Sequence, residues 1–204
     1  MAGTVYKSVA EIPTIDVSLV TIETGDREFG FETASEVEIE PQFNETDAVQ
    51  LIIKGKLKAQ KLGSSILTGN QITLTDNVFN PELVQVLQGG SVQYWTSAEK
   101  TETQATNAGF GVAGYTPPTA ASGDKGKSFK LNLYTAQYNA AGQIVNYEKC
   151  QYPNCTGVPV AFNSVDDEFR APEYTINSAA AEDEAPYIIT YVDTLPTLND
   201  PVAG

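Results

Sequence analysis

The chain has 204 residues, of which 41% are hydrophobic and 19% charged, so it can bury a core and is not expected to be disordered as a whole. Its 26 acidic and 12 basic residues give a formal charge of -14, which argues against binding nucleic acid or an anionic membrane through a basic surface. The N-terminus has no basic stretch followed by an unbroken apolar segment, and no apolar run approaches transmembrane length. We therefore expect a protein made in a cytoplasm, with Cys150 and Cys155 reduced.

Alternating apolar and polar residues predict strands over most of the chain up to residue 75. These strands are expected at 15–24, 35–41, 48–60 and 71–75. In the third segment Val49, Leu51 and Ile53 share one face, and Leu57 is expected to follow them on it. Lysines occupy the other face, which is typical of a half-buried strand.

One short helix is predicted at residues 80–88. Asn80 can cap its first turn, Pro81 suits the first helical position, and Gly89 tolerates the left-handed conformation that ends many helices. The apolar side chains form a single stripe: Phe79, Leu83, Val86 and Leu87. We expect Leu83 and Leu87 to be buried on a sheet, so that the helix flanks an otherwise all-β domain.

The second half of the chain begins with a change in composition. Residues 97–127 are rich in Gly, Ala, Thr, Ser and Pro and predict a long flexible loop. Strands then resume in the segments 128–138, 143–152, 157–165, 172–179 and 187–192. The C-terminal residues 195–204 are expected to be loose. No repeat of fixed period is present. A length of 204 residues suffices for one sizeable domain, and we expect residues 1–204 to form a single domain.

Two glycine-rich motifs resemble nucleotide-binding sequences. Gly109, Gly111 and Gly114 have the spacing of a dinucleotide fingerprint, and residues 121–128 (ASGDKGKS) fit a relaxed phosphate-loop pattern. A working motif of either kind runs directly into a helix whose backbone amides receive the phosphates. The sequence after each motif does not predict such a helix, so we interpret both as loops.

Other candidate sites are equally weak. Cys150 and Cys155 enclose QYPN, a predicted turn, and two thiols in a chain without histidine fall short of a zinc site. The acidic clusters at 166–168 and 182–184 lack the spacing of a calcium loop. Catalysis by lysine or carboxylate stays open, but no motif points to it. We expect a protein that is not an enzyme and holds no cofactor or metal.

Three segments together resemble the major tail tube proteins of bacteriophages that infect Gram-positive hosts. They are LIIKGKLKAQKLGSSILTGNQITLTDNVFNPELVQVLQGG (51–90), KSFKLNLYTAQYNAAGQIVNYEKCQYPNCTG (127–157) and EFRAPEYTINS (168–178). The resemblance extends over roughly residues 30–192 and rests on the order of the segments and on their pattern of apolar, polar and turn residues. It implies a β-sandwich or barrel domain with a short helix on its flank. It also implies long hairpins that join six-fold rings, which stack into the tube through which the genome is ejected.

The same resemblance implies partners and a location. The chain would assemble with itself into hexameric rings and meet the tape measure protein, the tail terminator and baseplate or distal tail proteins. DNA would pass through without specific binding, and no membrane insertion is expected. The protein would be part of the virion tail after assembly in the host cytoplasm.

Two charged rows are candidates for the channel lining or the ring interface. The acidic row consists of Glu36, Glu38 and Glu40, and the basic row consists of Lys54, Lys56 and Lys58. If the segments 36–60 and 128–150 form the hairpins of the channel, the two rows can pair across strands and partly compensate each other. The acidic excess of the chain favours a net negative lining, along which DNA slides without sticking.

Two other classes of function remain as alternatives. A monomeric β-sandwich module that binds a ligand such as carbohydrate would use exposed aromatic side chains, for which the candidates are Tyr94, Trp95, Tyr134 and Tyr138. An enzyme would use the segment 121–128. A sizing column separates the module from the tube protein, and a nucleotide-dependent thermal shift tests the enzyme.

Overall fold

The computed structural model describes residues 14–25, 27–32, 34–95, 111–161, 166, 171–181 and 183–198. The elements in chain order are β1 (Thr14–Thr24), β2 (Arg27–Phe31), β3 (Ala34–Glu45), β4 (Val49–Ile53), β5 (Lys56–Lys61), β6 (Ser65–Asp76), α1 (Pro81–Gln88), β7 (Ser91–Tyr94), β8 (Val112–Thr116), β9 (Phe129–Tyr138), β10 (Ile144–Gly157), β11 (Glu173–Ala179) and β12 (Ile188–Val192). The prediction of an all-β fold with one short helix near residues 80–88 is confirmed.

Eight of the strands form one antiparallel sheet in the order β2-β1-β9-β10-β11-β6-β3, with β12 paired to β10. The sheet is strongly curled, because β3 at one end contacts β1 near the other end. The remaining strands form two separate two-stranded sheets, β4–β5 and β7–β8. The helix α1 contacts β10 of this sheet and both strands of the β7–β8 pair, and its buried side chains belong to the same core cluster as those of β1, β6, β9 and β11.

The core lies on one face of the central strands. Cross-strand partners on this face include Ile22 with Leu131 and Ile176 with Ile72, and all four side chains are fully buried. Such pairs stabilise a sheet because directly opposite side chains touch and exclude water together. In these central strands the apolar half of the alternating pattern therefore points inward.

The helix begins and ends where its sequence signals predict. The Asn80 side chain accepts hydrogen bonds from the backbone amides of Glu82 (3.0 Å) and Leu83 (3.2 Å), which satisfies two of the free N–H groups of the first turn. Pro81 occupies the first turn. Gly89 ends the helix with a φ of 85°, a left-handed conformation that glycine adopts without a steric penalty.

The apolar stripe of α1 is part of the core. Leu83 and Leu87 are each 1% exposed, and Phe79 is half-buried against the same cluster. Gly157 of β10 lies so close to Leu87 that a Cβ atom at this position would clash with it. At the other end of the helix, the Asn80 amide donates to the Tyr174 hydroxyl at 3.3 Å. The helix is thus fixed to the sheet at both ends.

The predicted single strand at 48–60 is a hairpin instead. Its turn consists of Lys54 (φ 50°) and Gly55 (φ 73°), and positive φ at both positions is typical of the tight turn that joins twisted antiparallel strands. The alternation of apolar residues continues through the turn, so periodicity alone did not reveal it.

Other strand predictions need correction. β2 was not predicted, and β8 at Val112–Thr116 lies inside the segment 97–127 that was predicted to be a loop. Residues 97–110 lie outside the described part of the chain. Residues 158–161, predicted as strand, have no regular structure. Cys150 and Cys155 do not flank a turn, because both belong to the continuous strand β10, which has an irregularity in its pairing between them.

We predict that Leu87→Asp prevents folding, because an unpaired carboxylate in the core costs several kcal/mol, a large part of a typical domain's stability. Leu62 provides a matched control, since its side chain is 72% exposed and Leu62→Asp removes no core contact. Circular dichroism and thermal melting should show a cooperative transition for Leu62→Asp and none for Leu87→Asp. A cooperative melt of Leu87→Asp would contradict this placement of the helix.

Candidate functional site

The most unusual surface of the molecule is a projecting segment that we call the arm, residues 42–66. It consists of the outer ends of β3 and β6 and the complete β4–β5 hairpin. Every residue of the arm is exposed. Gln42 and Gly69 are paired across β3 and β6, and none of the residues between Gln42 and Ile66 contributes a side chain to the core. The arm is therefore regular β-structure without an apolar interior of its own.

The arm carries many large apolar side chains. Their exposed fractions lie between 47% and 72%, and they are Phe43, Val49, Leu51, Ile52, Ile53, Leu57, Leu62 and Ile66. Full burial of one such side chain is worth about 1.5–3 kcal/mol, which this arrangement leaves unused. Contiguous exposed apolar surface of this kind marks an interaction site in soluble proteins.

The hairpin is apolar on both faces. Ile52 pairs with Leu57 on one face, while Leu51 and Ile53 lie on the other. The register shifts between Leu51 and Ile52 and leaves Lys58 as a bulge. The expectation that Leu57 shares a face with Leu51 and Ile53 was therefore wrong. A two-stranded sheet that is apolar on both faces cannot bury both against a single surface of its own body.

A hydrogen-bonded joint connects the hairpin to the outer ends of β3 and β6. The Thr46 amide donates to the Ser64 carbonyl at 2.9 Å, and the Ser64 amide donates to the Thr46 hydroxyl at 3.0 Å. Gly63 is required here, because a Cβ atom would clash with the Thr46 carbonyl oxygen. The joint gives the hairpin a defined position although no core residue holds it.

The acidic and basic rows do not pair with each other. Glu36, Glu38 and Glu40 lie on β3, whose partner is β6, and they stand opposite Thr75, Thr73 and Gln71. Lys56 and Lys58 lie on β5, and Lys54 lies in the hairpin turn. The predicted compensation of charge across strands was therefore wrong, because β3 pairs with a strand that is distant in sequence.

The acidic row lies on the face of β3 that points away from the core. The register continues it onto β11, where Glu173 shares a rung with Thr75 and Glu36. The surroundings are threonine, glutamine and asparagine side chains, and no basic residue stands on these rungs. The one ion pair found within the described residues, Lys130 Nζ to Glu23 Oε1 at 3.0 Å, lies elsewhere. The row is an uncompensated negative strip.

The nucleotide-like motifs occupy positions that do not suit phosphate binding. Gly111 and Gly114 lead into or lie within β8, and Gly109 is outside the described residues. The segment 121–128 leads into β9 and not into a helix. Its Asp124 carboxylate accepts a hydrogen bond from the Gly90 amide at 2.8 Å and so holds the segment against the end of α1.

Two of the four aromatic candidates for a ligand platform, Tyr134 and Tyr94, are engaged in other contacts. Tyr134 is buried, with the Lys149 ammonium 5.7 Å from the centre of its ring. The Tyr94 hydroxyl donates to the Glu82 carboxylate at 2.6 Å, and burial together with this bond raises the pKa of Tyr94 to about 12. Trp95 is half-buried and follows β7, while Tyr138 ends β9.

The two cysteines are separated thiols. Five steps along a strand span roughly 15 Å, which is more than twice the Cα separation that a disulfide tolerates. Burial raises the pKa of the Cys155 thiol to about 12 and also raises that of Cys150. Across the described ranges, no cluster of three or more metal-ligating side chains was found. Nor does any helix in those ranges have the length and apolar character needed to span a bilayer.

No family model and no curated protein matches the sequence. Similar solved structures include the sheath-tube complex of an extracellular contractile injection system (PVC) in the extended state, at 16% identity and a TM-score of 0.39 over 92% of this chain and 100% of that chain. The anti-feeding prophage supplies two more. Its tube-terminating cap matches at 14% identity and a TM-score of 0.38, over 95% of this chain and 100% of that chain. Its six-fold symmetrised baseplate matches at 8% identity and a TM-score of 0.36, over 89% of this chain and 97% of that chain.

These TM-scores are below 0.5 and the identities below 25%, so we infer neither family nor function from them. None of these structures is described as belonging to a phage of a Gram-positive host. That part of the resemblance therefore has no support beyond the sequence.

We predict that Cys155 resists a thiol reagent at pH 8 in the folded protein and reacts on denaturation. The thiol is buried and its thiolate is disfavoured by desolvation. The raised pKa also makes stability depend on pH. The contribution of Cys155 is complete below about pH 9, the pKa of an unperturbed thiol, and is then lost by up to ~1.4 kcal/mol per pH unit as the pH rises toward about 12.

Urea unfolding of the wild type and Cys155→Ala between pH 8 and pH 10 measures this effect. The free energy of unfolding should decrease less steeply with pH in Cys155→Ala. Equal slopes, or rapid modification of Cys155 in the native state, would contradict the burial of its thiol.

Proposed function

We propose that this chain is a structural subunit that self-assembles into stacked, six-fold rings forming a tail tube, the conduit for genome ejection. The observation that carries the proposal is the arm, whose apolar side chains are exposed on both faces of a preformed hairpin. The sequence resemblance to major tail tube proteins supplies the kind of assembly.

The physical argument for self-association starts from the free strand edges. Within the described residues, β4 and β5 pair only with each other, so each keeps an unpaired edge. Free strand edges with apolar side chains favour pairing with another chain. A closed ring uses this tendency and limits it at the same time, since every arm finds one acceptor and no edge remains open.

The negative strip at Glu36, Glu38 and Glu40 fits the lining of a channel for DNA. An acidic wall repels phosphate groups, whereas each inward lysine would add a salt-dependent contact to the duplex. We therefore assign β3 to the channel and the lysine-bearing hairpin to a contact between subunits. Because Glu36, Glu38 and Glu40 do not pair with the lysines, a lining built from this strip would be more negative than the sequence interpretation assumed.

The remaining parts of the proposal come from the resemblance. They are contacts with a tape measure protein, a tail terminator and baseplate or distal tail proteins, passage of DNA without specific binding, and a location in the virion tail after assembly in the host cytoplasm. The role is structural and not enzymatic.

Electron microscopy of the purified wild-type protein should show rings or tubes. The variant Val49→Thr/Leu51→Gln/Ile53→Thr should remain monomeric, because it removes apolar surface from one face of the hairpin. Its thermal stability should be almost unchanged, since these side chains are exposed and threonine keeps a high strand propensity.

Val145→Thr is a control, since it replaces an apolar side chain that is 59% exposed and lies outside the arm. This variant should assemble as the wild type does. A wild-type protein that elutes as a monomer and shows no rings at high concentration would favour the monomeric binding module over the tube subunit.

A further inference from the structure

A second exposed apolar surface lies along β12. Its large side chains are between 39% and 57% exposed, and they are Tyr187, Ile188, Ile189 and Tyr191. Ile188 and Ile189 are neighbours in a strand and so point to opposite faces, which means that both faces of β12 are uncovered. We call these four residues, with the carboxylates around them, the β12 patch.

The β12 patch also has an open edge. β12 pairs with residues 147–151 of β10, and among the described residues no strand pairs with its other side. A strand of five residues with a free edge and apolar faces is suited to accept a strand from another chain. The β12 patch therefore combines a free strand edge with exposed apolar side chains on both faces, as the β4–β5 hairpin does, but it lies outside the arm.

The two surfaces differ in charge. The hairpin, residues 49–61, contains four basic side chains and no acidic one: Lys54, Lys56, Lys58 and Lys61. Carboxylates accompany β12: Asp183 and Glu184 precede it in the chain, Asp193 follows it, and Glu148 lies on the neighbouring strand β10; the Glu184 carboxylate also accepts from the Asn154 amide at 2.9 Å. Glu148 stands directly opposite Tyr191, and residues 183–198 include no lysine or arginine. Lys149, opposite Thr190, lies on the face of β12 that carries Ile188, and its ammonium is engaged over the Tyr134 ring.

We propose that the β4–β5 hairpin of one copy docks along the free edge of β12 in a second copy. Apolar residues would meet apolar residues on both faces, and the lysines would meet the carboxylates at the border. This inference rests on the proposed function and adds the acceptor surface to it. Two hairpins cannot be each other's acceptors so readily, because each brings four positive charges and no negative one.

The glutamate row of β3 is the competing acceptor, and its composition makes it a poorer one. Its rungs present Thr73, Thr75 and Gln71, which are half-buried polar side chains without exposed apolar surface. A hairpin on that row would gain charge contacts but would leave its isoleucines and leucines in water or against polar groups.

An exchange of charges tests the pairing. The hairpin variant Lys56→Glu/Lys58→Glu and the patch variant Asp183→Lys/Asp193→Lys change only exposed side chains, so both should melt as the wild type does. In sedimentation velocity, each variant alone should associate on the order of tenfold more weakly than the wild type. An equimolar mixture should recover association, because the acidic hairpin then meets the basic patch and the basic hairpin meets the acidic one.

The variant Glu36→Lys/Glu38→Lys is the matched control, with two charges reversed on β3 instead of β12. Because its hairpin and its β12 patch are unchanged, this variant alone should associate as the wild type does. Association of this control as weak as that of the patch variant, undiminished association of either the hairpin or the patch variant alone, or a hairpin–patch mixture that remains monomeric would overturn this inference while leaving the proposed function intact. A wild type that does not associate at all would overturn the proposed function itself.

Discussion

The packing of α1 against the large sheet is the interaction on which the rest of the structure depends. Leu83 and Leu87 are buried in the core cluster, and Gly157 of β10 has no side chain, which lets the helix come this close to the sheet. The Asn80 side chain accepts hydrogen bonds from free amides at the start of the helix, and Gly89 ends the helix; both residues belong to the same chain as the helix. The body therefore has a complete core within one subunit.

A complete core separates folding from assembly. Because the core residues lie in the body, the arm can present Leu51, Ile52 and Leu57 to solvent without endangering the fold. The same separation explains how the Thr46–Ser64 joint can hold the hairpin by hydrogen bonds alone. The end of the long β3–β6 pair that lies in the body contributes buried residues to the core. The opposite end, in the arm, carries apolar side chains that remain exposed.

Local signals were sufficient for part of this structure. The helix was predictable because its cap, its first-turn proline and its terminal glycine are within a few residues of one another. The partner of β3 was not predictable, because Glu38 faces Thr73 across a long excursion of the chain that includes the whole hairpin. The Lys54–Gly55 turn was missed for a different reason: the apolar alternation continues through it. The exposure of the charged rows followed from their composition, whereas their pairing required the sheet order.

The charges of the hairpin also bear on the symmetry of any assembly. A two-fold dimer built from two hairpins would place the lysines of both copies in one interface, and like charges that face each other are destabilising. Lysines at a strand edge are a common protection against such edge-to-edge pairing. The sequence of the hairpin thus disfavours a self-complementary contact and favours a contact with a different, acidic surface of the next copy. Repeated head-to-tail contacts of that kind produce either a closed ring or an open helix, depending only on the rotation between neighbours.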